Sequence, residues 1–318
     1  MAVSRAAVSL HEHQGHPGRF AASGRPGAPD DVDRAMQIGV VYPQTELALD
    51  PVTVRAYVRG VEQLGFRHIL VYDHVVGADP AVYTGWNGPY DVDTPFHEPF
   101  VMFGFLAAVT QLELVTGIII APQRQTALIA KQAAEVDILT EGRFRLGIGV
   151  GWNRVEYESL GQDFHTRGRR QEEQIGLLRL LWTERSVEHD GEFDRIKGAG
   201  IAPLPVQRPI PIWMGGASEA AYLRIGRLAD GWFPMTSPGE PLSQAREHVA
   251  AGASLAGRDP GSIGMEGRIE AGEQAARHAD KWRAAGASHL TINTMGDGHE
   301  GVAAHLKALE LTAKAIPL

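Results

Sequence analysis

From Met36 to the C-terminus, short apolar runs alternate with longer runs of helical period, and the alternation completes eight cycles. The apolar runs fall at residues 36–42 (MQIGVVY), 68–72 (HILVY), 112–120 (LELVTGIII), 144–150 (FRLGIGV), 211–214 (PIWM), 231–234 (GWFP), 262–267 and 289–293. Helices are expected at 52–64, 99–110, 126–139, 168–183, 218–228, 242–253, 272–285 and 298–311. In the first of these, Val54, Tyr57, Val58, Val61 and Leu64 recur at three- and four-residue spacing, and Gly65 follows as a C-cap. Strands so rich in Val, Ile and Leu suit a parallel sheet whose outer face is covered by helices. Eight strand–helix units predict an α/β chain closed into a single (β/α)8 TIM barrel, a fold of about 250 residues.

Two stretches fall outside the rhythm. Residues 11–35 are rich in Gly, Pro, Ala and Arg and lack periodicity, so residues 1–35 read as a flexible N-terminal extension and 36–318 as the folded domain. His11, His13 and His16 offer a metal-binding alternative to a plain tail. The first ten residues lack the continuous apolar core of a signal peptide, which favours a cytoplasmic protein. Residues 184–209 carry a strand-like piece around Phe193 and then PLPVQRP, read as an insertion folded on the barrel.

Composition removes several classes of function. A net charge of -8 without a basic block is a poor match for nucleic acid. The absence of cysteine excludes disulfides, thiolate catalysis and cysteine-bound metals. No apolar run approaches the ~20 residues of a membrane span. There is no HExxH, GxSxG or Walker sequence, which argues against zinc proteases, serine hydrolases and P-loop NTPases. No metal site is expected.

In a barrel, chemistry gathers where the strands end. After the second strand come Tyr72, Asp73 and His74, where a carboxylate beside an imidazole suits general acid/base work. Adjacent strand residues face opposite ways, so the pair need not touch, and ordinary loop polarity explains it equally well. After the fourth strand, Gly147, Gly149 and Gly151 precede Trp152 and Asn153, and alternate glycines admit close approach of a ligand or of packed backbone. After the fifth, Gly215-Gly216-Ala217-Ser218 leads into a helix whose free N–H groups suit a phosphate, or simply an ordinary cap. Glu219 in that first turn is expected to face solvent. Glu98 reads as an N-terminal helix charge, and Glu135, Asp137 and Arg143 as a structural ion-pair set. Trp86, Trp152, Trp213 and Trp232 stack on a ring or fill core, with Trp213 favoured as core.

Four ordered segments carry a family likeness: LVYDHV at 70–75, the run 113–137 (ELVTGIII…AKQAAEVD), GRFRLGIGVGWNRVEYESLG at 142–161 and PIWMGGASEAAYLRIGRLADGWFP at 211–234. Together they resemble the luciferase-like monooxygenase superfamily, and within it the branch that uses the deazaflavin coenzyme F420. The likeness spans about residues 36–313. It implies hydride transfer between F420 and a small organic substrate, with His74 as catalytic acid/base. The alternatives are a two-component FMN-dependent monooxygenase, served by a separate flavin or F420 reductase, and a non-catalytic flavin-binding protein. It further implies that Asp73 contacts the ring and that the cofactor is held by Gly117, Ile118, Gly149, Gly151, Trp152, Asn153, Gly215, Gly216 and Ala217. A homodimer is implied too. The anionic tail of F420 would call for a basic groove, with Arg154, Arg167, Arg169 and Arg170 as candidates. Sugar-phosphate dehydrogenases of the superfamily carry a carboxylate proton donor where this chain has Trp152, which disfavours that substrate. Finally, Gly117 interrupts an otherwise plain strand. The likeness implies a non-prolyl cis peptide at Gly117-Ile118, or at Ile118-Ile119, backing the central ring.

Overall fold

The computed structural model describes residues 36–318, so the expectations for residues 1–35 and for His11, His13 and His16 lie outside the described residues. The barrel strands are β1 (Gln37–Val41), β2 (His68–Val71), β3 (Glu113–Thr116) with its short continuation β4 (Ile119–Ile120), and β5 (Phe144–Gly149). After the excursion β6 (Val187–Asp190) and β7 (Arg195–Ala199) come β8 (Ile212–Gly216), β9 (Gly231–Pro234), β10 (Gly264–Glu270) and β11 (His289–Asn293). All barrel pairings are parallel, in the order β3-β2-β1-β11-β10-β9-β8-β5, and pairing of β5 with β3 closes the ring. Counting β3 and β4 as one interrupted strand gives the expected eight.

The helices are α1 (Pro51–Gln63), α2 (Pro99–Leu106), α3 (Thr126–Leu139), α4 (Arg154–Ser159), α5 (Arg167–Thr183), α6 (Glu219–Leu228), α7 (Glu240–Leu255), α8 (Ala275–Ala284) and α9 (Gly301–Ala315). The start of α1 shows why these boundaries hold. Asp50 accepts the Val52 and Thr53 N–H groups at 2.9 and 3.0 Å, and Pro51 needs no donor at the first position. Its buried face is Val54, Tyr57, Val58 and Val61, and Gly65 ends the turn at φ +92°. Helix α4 is too short to show a hydrophobic period, and sequence patterning passes over it.

Strand alternation sorts the core into two regions. Val40, Ile69 and Leu114 point out into the helix-covered core, whereas Val41, Leu70 and Val115 form a separate cluster inside the barrel with Tyr72 and Phe233 beside it. Below that inner cluster the interior is polar. Trp213 fills the lower barrel: a Cβ on Gly231 or Gly264 would come within 2.2 and 2.6 Å of its ring. It is core, as expected.

The segment after α5 forms an antiparallel hairpin, β6 with β7. Glu173 on α5 accepts the backbone N–H groups of Glu192, Phe193 and Asp194 at 2.8–3.1 Å, which fixes the hairpin tip on the barrel. Farther on, buried Asp137 accepts the Gln207 N–H at 2.9 Å and its side-chain amide at 2.7 Å. The expected ion-pair set of Glu135, Asp137 and Arg143 does not form. Glu135 meets Lys131 one turn away at 3.7 Å, and Asp137 anchors the insertion through neutral donors. No described helix is long and apolar enough to cross a membrane.

Candidate active site

At the C-terminal ends of the strands lies a cavity of about 480 Å³, bounded by Leu70, Asp73, His74, Gly117, Ile118, Trp152, Gly215 and Arg268 among others. One wall is the break between β3 and β4. The Gly117-Ile118 peptide is cis, the first of the two positions the sequence suggests. Asp73 sits on the same wall and is buried, with both carboxylate oxygens engaged. Arg124 donates to one at 2.8 Å and the Ile120 N–H to the other at 3.3 Å. Burial pushes the Asp73 carboxyl above the usual carboxylate range, against the opposing pull of Arg124 and Ile120 N–H. Arg124 also donates to Glu98 at 2.9 Å, and Glu98 caps α2 through the Val101 N–H at 2.7 Å. Glu98 is therefore the helix cap its sequence suggests and an ion-pair partner as well.

His74 occupies the opposite surroundings, an aromatic cage. Its ring lies 5.0 Å from Tyr90, 4.8 Å from Phe96 and 5.9 Å from Trp152, all at steep angles. Behind the imidazole, Nδ1 stands 3.6 Å from Glu156 Oε2, longer than a direct hydrogen bond and within ion-pair range. Glu156 is fully buried and further accepts the Val75 N–H at 2.6 Å and the Gln123 amide at 3.0 Å. Burial alone would raise its carboxyl. The nearby His74 ring and the bonds from Val75 N–H and the Gln123 amide outweigh that and hold it below the ordinary value. A permanent carboxylate facing Nδ1 favours a proton on that nitrogen, leaving Nε2 as the nitrogen available to the cavity. Asp73 and His74, adjacent in sequence, thus serve separate networks.

Sequence reasoning singled out His74 and passed over Glu156. The reason is local: Asn153 caps α4 and accepts the Glu156 N–H at 3.3 Å, so N-x-x-E reads as a plain capping pattern. Here the carboxylate reaches past the cap to the loop after β2.

The glycine segments meet the same cavity unevenly. Gly151, at φ +64°, and Trp152 line it, while Asn153 is buried as the cap of α4. Gly149 lies behind Ile118, whose side chain a Cβ there would strike at 2.5 Å. Gly215 faces the cavity with space in front of it, since a Cβ would meet only Ile118, at 3.7 Å. Gly216 and Ala217 do not border the cavity. They lead to Ser218, which caps α6 through the Ala221 N–H at 3.3 Å, and the remaining first-turn N–H groups of α6 have no helical partner. Glu219 points outward and is exposed, 3.9 Å from His248.

None of the four arginines expected at the mouth borders the cavity. Arg154 bonds to His165, Arg167 lies over the Phe164 ring at 3.7 Å, Arg169 pairs with Glu192, and Arg170 reaches the Arg124 carbonyl. The arginine that does border it is Arg268 on β10, which sequence inspection gave no reason to select. The cavity floor was equally hidden. There Arg145 pairs with Glu266 at 2.5 Å and with Glu113 at 3.0 Å, over the face of Trp213. Glu266 also meets His68 at 2.9 Å and accepts the Thr291 hydroxyl.

This architecture has a match. The family model for luciferase-like monooxygenases aligns with residues 36–271. The chain belongs to that family. As a luciferase-like protein it is an oxidoreductase. An uncharacterized protein of Mycobacterium tuberculosis, Rv0953c, is 32% identical over 220 residues, covering 65% of this chain and 76% of that protein. The FMNH(2)-dependent dimethylsulfone monooxygenase of Pseudomonas putida is 31% identical over 172 residues, 53% of this chain and 47% of its own length. Among solved structures, an F420-dependent secondary alcohol dehydrogenase in complex with an F420-acetone adduct superposes with a TM-score of 0.72 at 16% identity, covering 89% of this chain and 99% of that one. The monooxygenase RslO1 of Streptomyces bottropensis gives 0.65 at 20% identity, covering 88% and 98%. At such identities the superpositions establish the luciferase-like barrel fold.

Proposed function

We propose that the protein is an F420-dependent oxidoreductase that transfers a hydride between the deazaflavin and a small organic substrate, with His74 as the acid/base. The observation that carries this reading is His74 itself, held between an aromatic cage and a buried carboxylate at a cavity walled by Gly117 and Ile118. The residues present fit a flavin-type ring with a phosphate-bearing side arm. Gly215 leaves space that packing does not require, and the start of α6 offers free N–H groups to an anion. Asp73, Gly117, Ile118 and Trp152 would border the ring. Gly149, Gly151, Asn153, Gly216 and Ala217 would shape the segments around the side arm.

When bound, the deazaflavin supplies a hydride acceptor or donor. Oxidation of an alcohol releases one hydride and one proton, and His74 Nε2 takes the proton. Glu156 steadies the imidazolium that results, and the reverse reaction returns the proton to a carbonyl. The rings of Tyr90, Phe96 and Trp152 exclude water around the imidazole.

A second reading, an FMN-dependent monooxygenase supplied by a separate reductase, draws on the 31% identity with the dimethylsulfone monooxygenase. Equilibrium titration of the purified protein with F420 and FMN side by side separates the two. The proposal expects saturation by F420 at micromolar concentration and weaker FMN binding; tight FMN binding with no F420 saturation establishes the second reading. Replacing Gly215 with Val should raise the cofactor Kd by about tenfold or more, because branched carbon atoms would fill the space in front of it, while the melting temperature stays nearly constant. Unchanged affinity would remove Gly215 from the cofactor site. Residues 1–35 are proposed to be a dispensable extension, and a homodimer in the cytoplasm remains the expected state.

A further inference from the structure

Arg268 stands out among the arginines around the cavity. Arg124 and Arg145 each hold two carboxylates, Asp73 with Glu98 and Glu113 with Glu266. Arg268 borders the cavity, is exposed to it, and among the described residues has no carboxylate within ion-pair distance. Glu270, two residues farther along the strand, is engaged by the Asn293 amide at 2.7 Å, and its charge and that of Arg268 act on one another without a direct ion pair. Among the described residues, the one side-chain bond Arg268 makes is to a neutral group, the Tyr72 hydroxyl at 3.1 Å.

That bond crosses the barrel mouth. Tyr72 follows β2 and Arg268 lies on β10, with β1 and β11 between them in the ring. Tyr90 ties this feature to the acid/base. Its ring is 5.0 Å from His74, and the Arg268 charge acts on its hydroxyl as well as on that of Tyr72. Burial raises both tyrosines, and the guanidinium pulls each back. The cavity therefore has an apolar, aromatic end around His74 and a cationic end at Arg268, joined by Tyr90. A guanidinium has five donors in a planar fork, and here one of them is used on the described residues. A free fork facing a partly enclosed cavity matches a planar carboxylate, which accepts two parallel bonds.

We propose that the substrate is an organic carboxylate with an aromatic or apolar body, its carboxylate bound by Arg268 and its body held against Tyr90 and Trp152 beside His74. The inference rests on the cavity being the redox active site and names the substrate class for it. Arg268 is separated from the glycine segments of β8 and β5 by β9, so it stands apart from the proposed phosphate cradle. The anionic tail of F420 is the competing source of a carboxylate, and the test distinguishes the two.

The experiment titrates benzoate and its neutral isostere benzamide, following quenching of Trp152, which lines the cavity, and of Trp86, whose ring lies 5.7 Å from it. It is run with and without cofactor on wild type, Arg268→Gln and Arg268→Lys. Benzoate should saturate the wild type, weaken by about tenfold or more in Arg268→Gln, and recover in part in Arg268→Lys. Benzamide should bind all three alike, and the F420 and FMN dissociation constants should stay within a few-fold. Absence of benzoate saturation in both forms overturns the proposal, as does an equal loss for benzamide. A loss of F420 affinity matching the loss of benzoate assigns Arg268 to the cofactor tail and overturns it too. If neither cofactor binds while benzoate still depends on Arg268, the redox reading fails and the carboxylate site stands.

Discussion

Replacing His74 with Ala lowers the single-turnover rate by about 10²–10⁴-fold, the usual value of a positioned general acid/base, and leaves the cofactor Kd within a few-fold. The two effects separate because the imidazole and the proposed ring site use different supports. His74 leans on Glu156 and the aromatic cage, whereas the Gly117-Ile118 wall is braced by Asp73, Arg124 and Glu98. Truncation at residue 74 leaves that second network whole. Glu156→Gln should cost less than His74→Ala. The amide still accepts the Val75 N–H, but it no longer presents a fixed negative charge to Nδ1. The pair is read by stopped-flow, mixing the enzyme–cofactor complex from one syringe with substrate from the other. A His74→Ala enzyme with an unchanged rate ends the acid/base assignment, and one that no longer binds cofactor shows that His74 holds the ring instead.

How far the sequence could be read followed the physics of each feature. The eight strands were visible because their outward faces must be apolar against the helices, and runs such as LELVTGIII carry that demand openly. The interruption at Gly117 was visible because glycine in such a run serves neither packing nor strand propensity. The polar interior was not visible. Arg145, Glu266 and His68 point inward at alternate positions, where single polar residues in short strands look like the solvated half of an ordinary pattern. Arg268 escaped for the same reason, two residues along β10 from Glu266. Glu156 was masked by its place in a capping pattern, and α4 by its length. The Glu135, Asp137 and Arg143 set does not form because proximity in sequence is not proximity of charge. Asp137 turns toward the returning insertion, which sequence patterning cannot locate. Gly117→Val would be an ambiguous probe of the cofactor site, since a Cβ there would strike Leu70 at 2.1 Å and disturb the inner cluster with or without a ligand. Gly215 offers the cleaner substitution.

The polar floor of the barrel should dominate the protein's response to acid. Glu266 is buried, and burial alone would raise its carboxyl; the charges of Arg145 and His68 reverse that and hold it well below the ordinary carboxylate value. His289, whose ring lies 5.9 Å from that of His68, is lowered to about 4, first by burial and then by the Arg145 charge. Both shifts have the same sign for stability. An unfolded chain protonates His289 near the ordinary histidine value of 6.5, whereas the folded chain waits until about 4. Between those values the unfolded state binds the extra proton, and stability falls with falling pH by up to about 1.4 kcal/mol per unit. Glu266 adds its part lower down: its contribution is complete above its unfolded value and is lost as pH drops toward the folded one. Melting curves from pH 7.5 to 4 should therefore slope downward below about 6.5, and His289→Gln should flatten the slope between 6.5 and 4. At pH 7, Glu266→Ala removes one carboxylate from Arg145 and the charged partner of His68. Breaking a buried pair of this kind costs about 3–5 kcal/mol, or roughly 5–8 °C in melting temperature for a chain of this size. Arg145 keeps Glu113 at 3.0 Å, which places the expected loss toward the lower end. A Glu266→Ala protein that melts with the wild type, or a His289→Gln protein with an unaltered pH slope, would show that the network is solvated in solution and leaves the barrel's stability to its apolar layers.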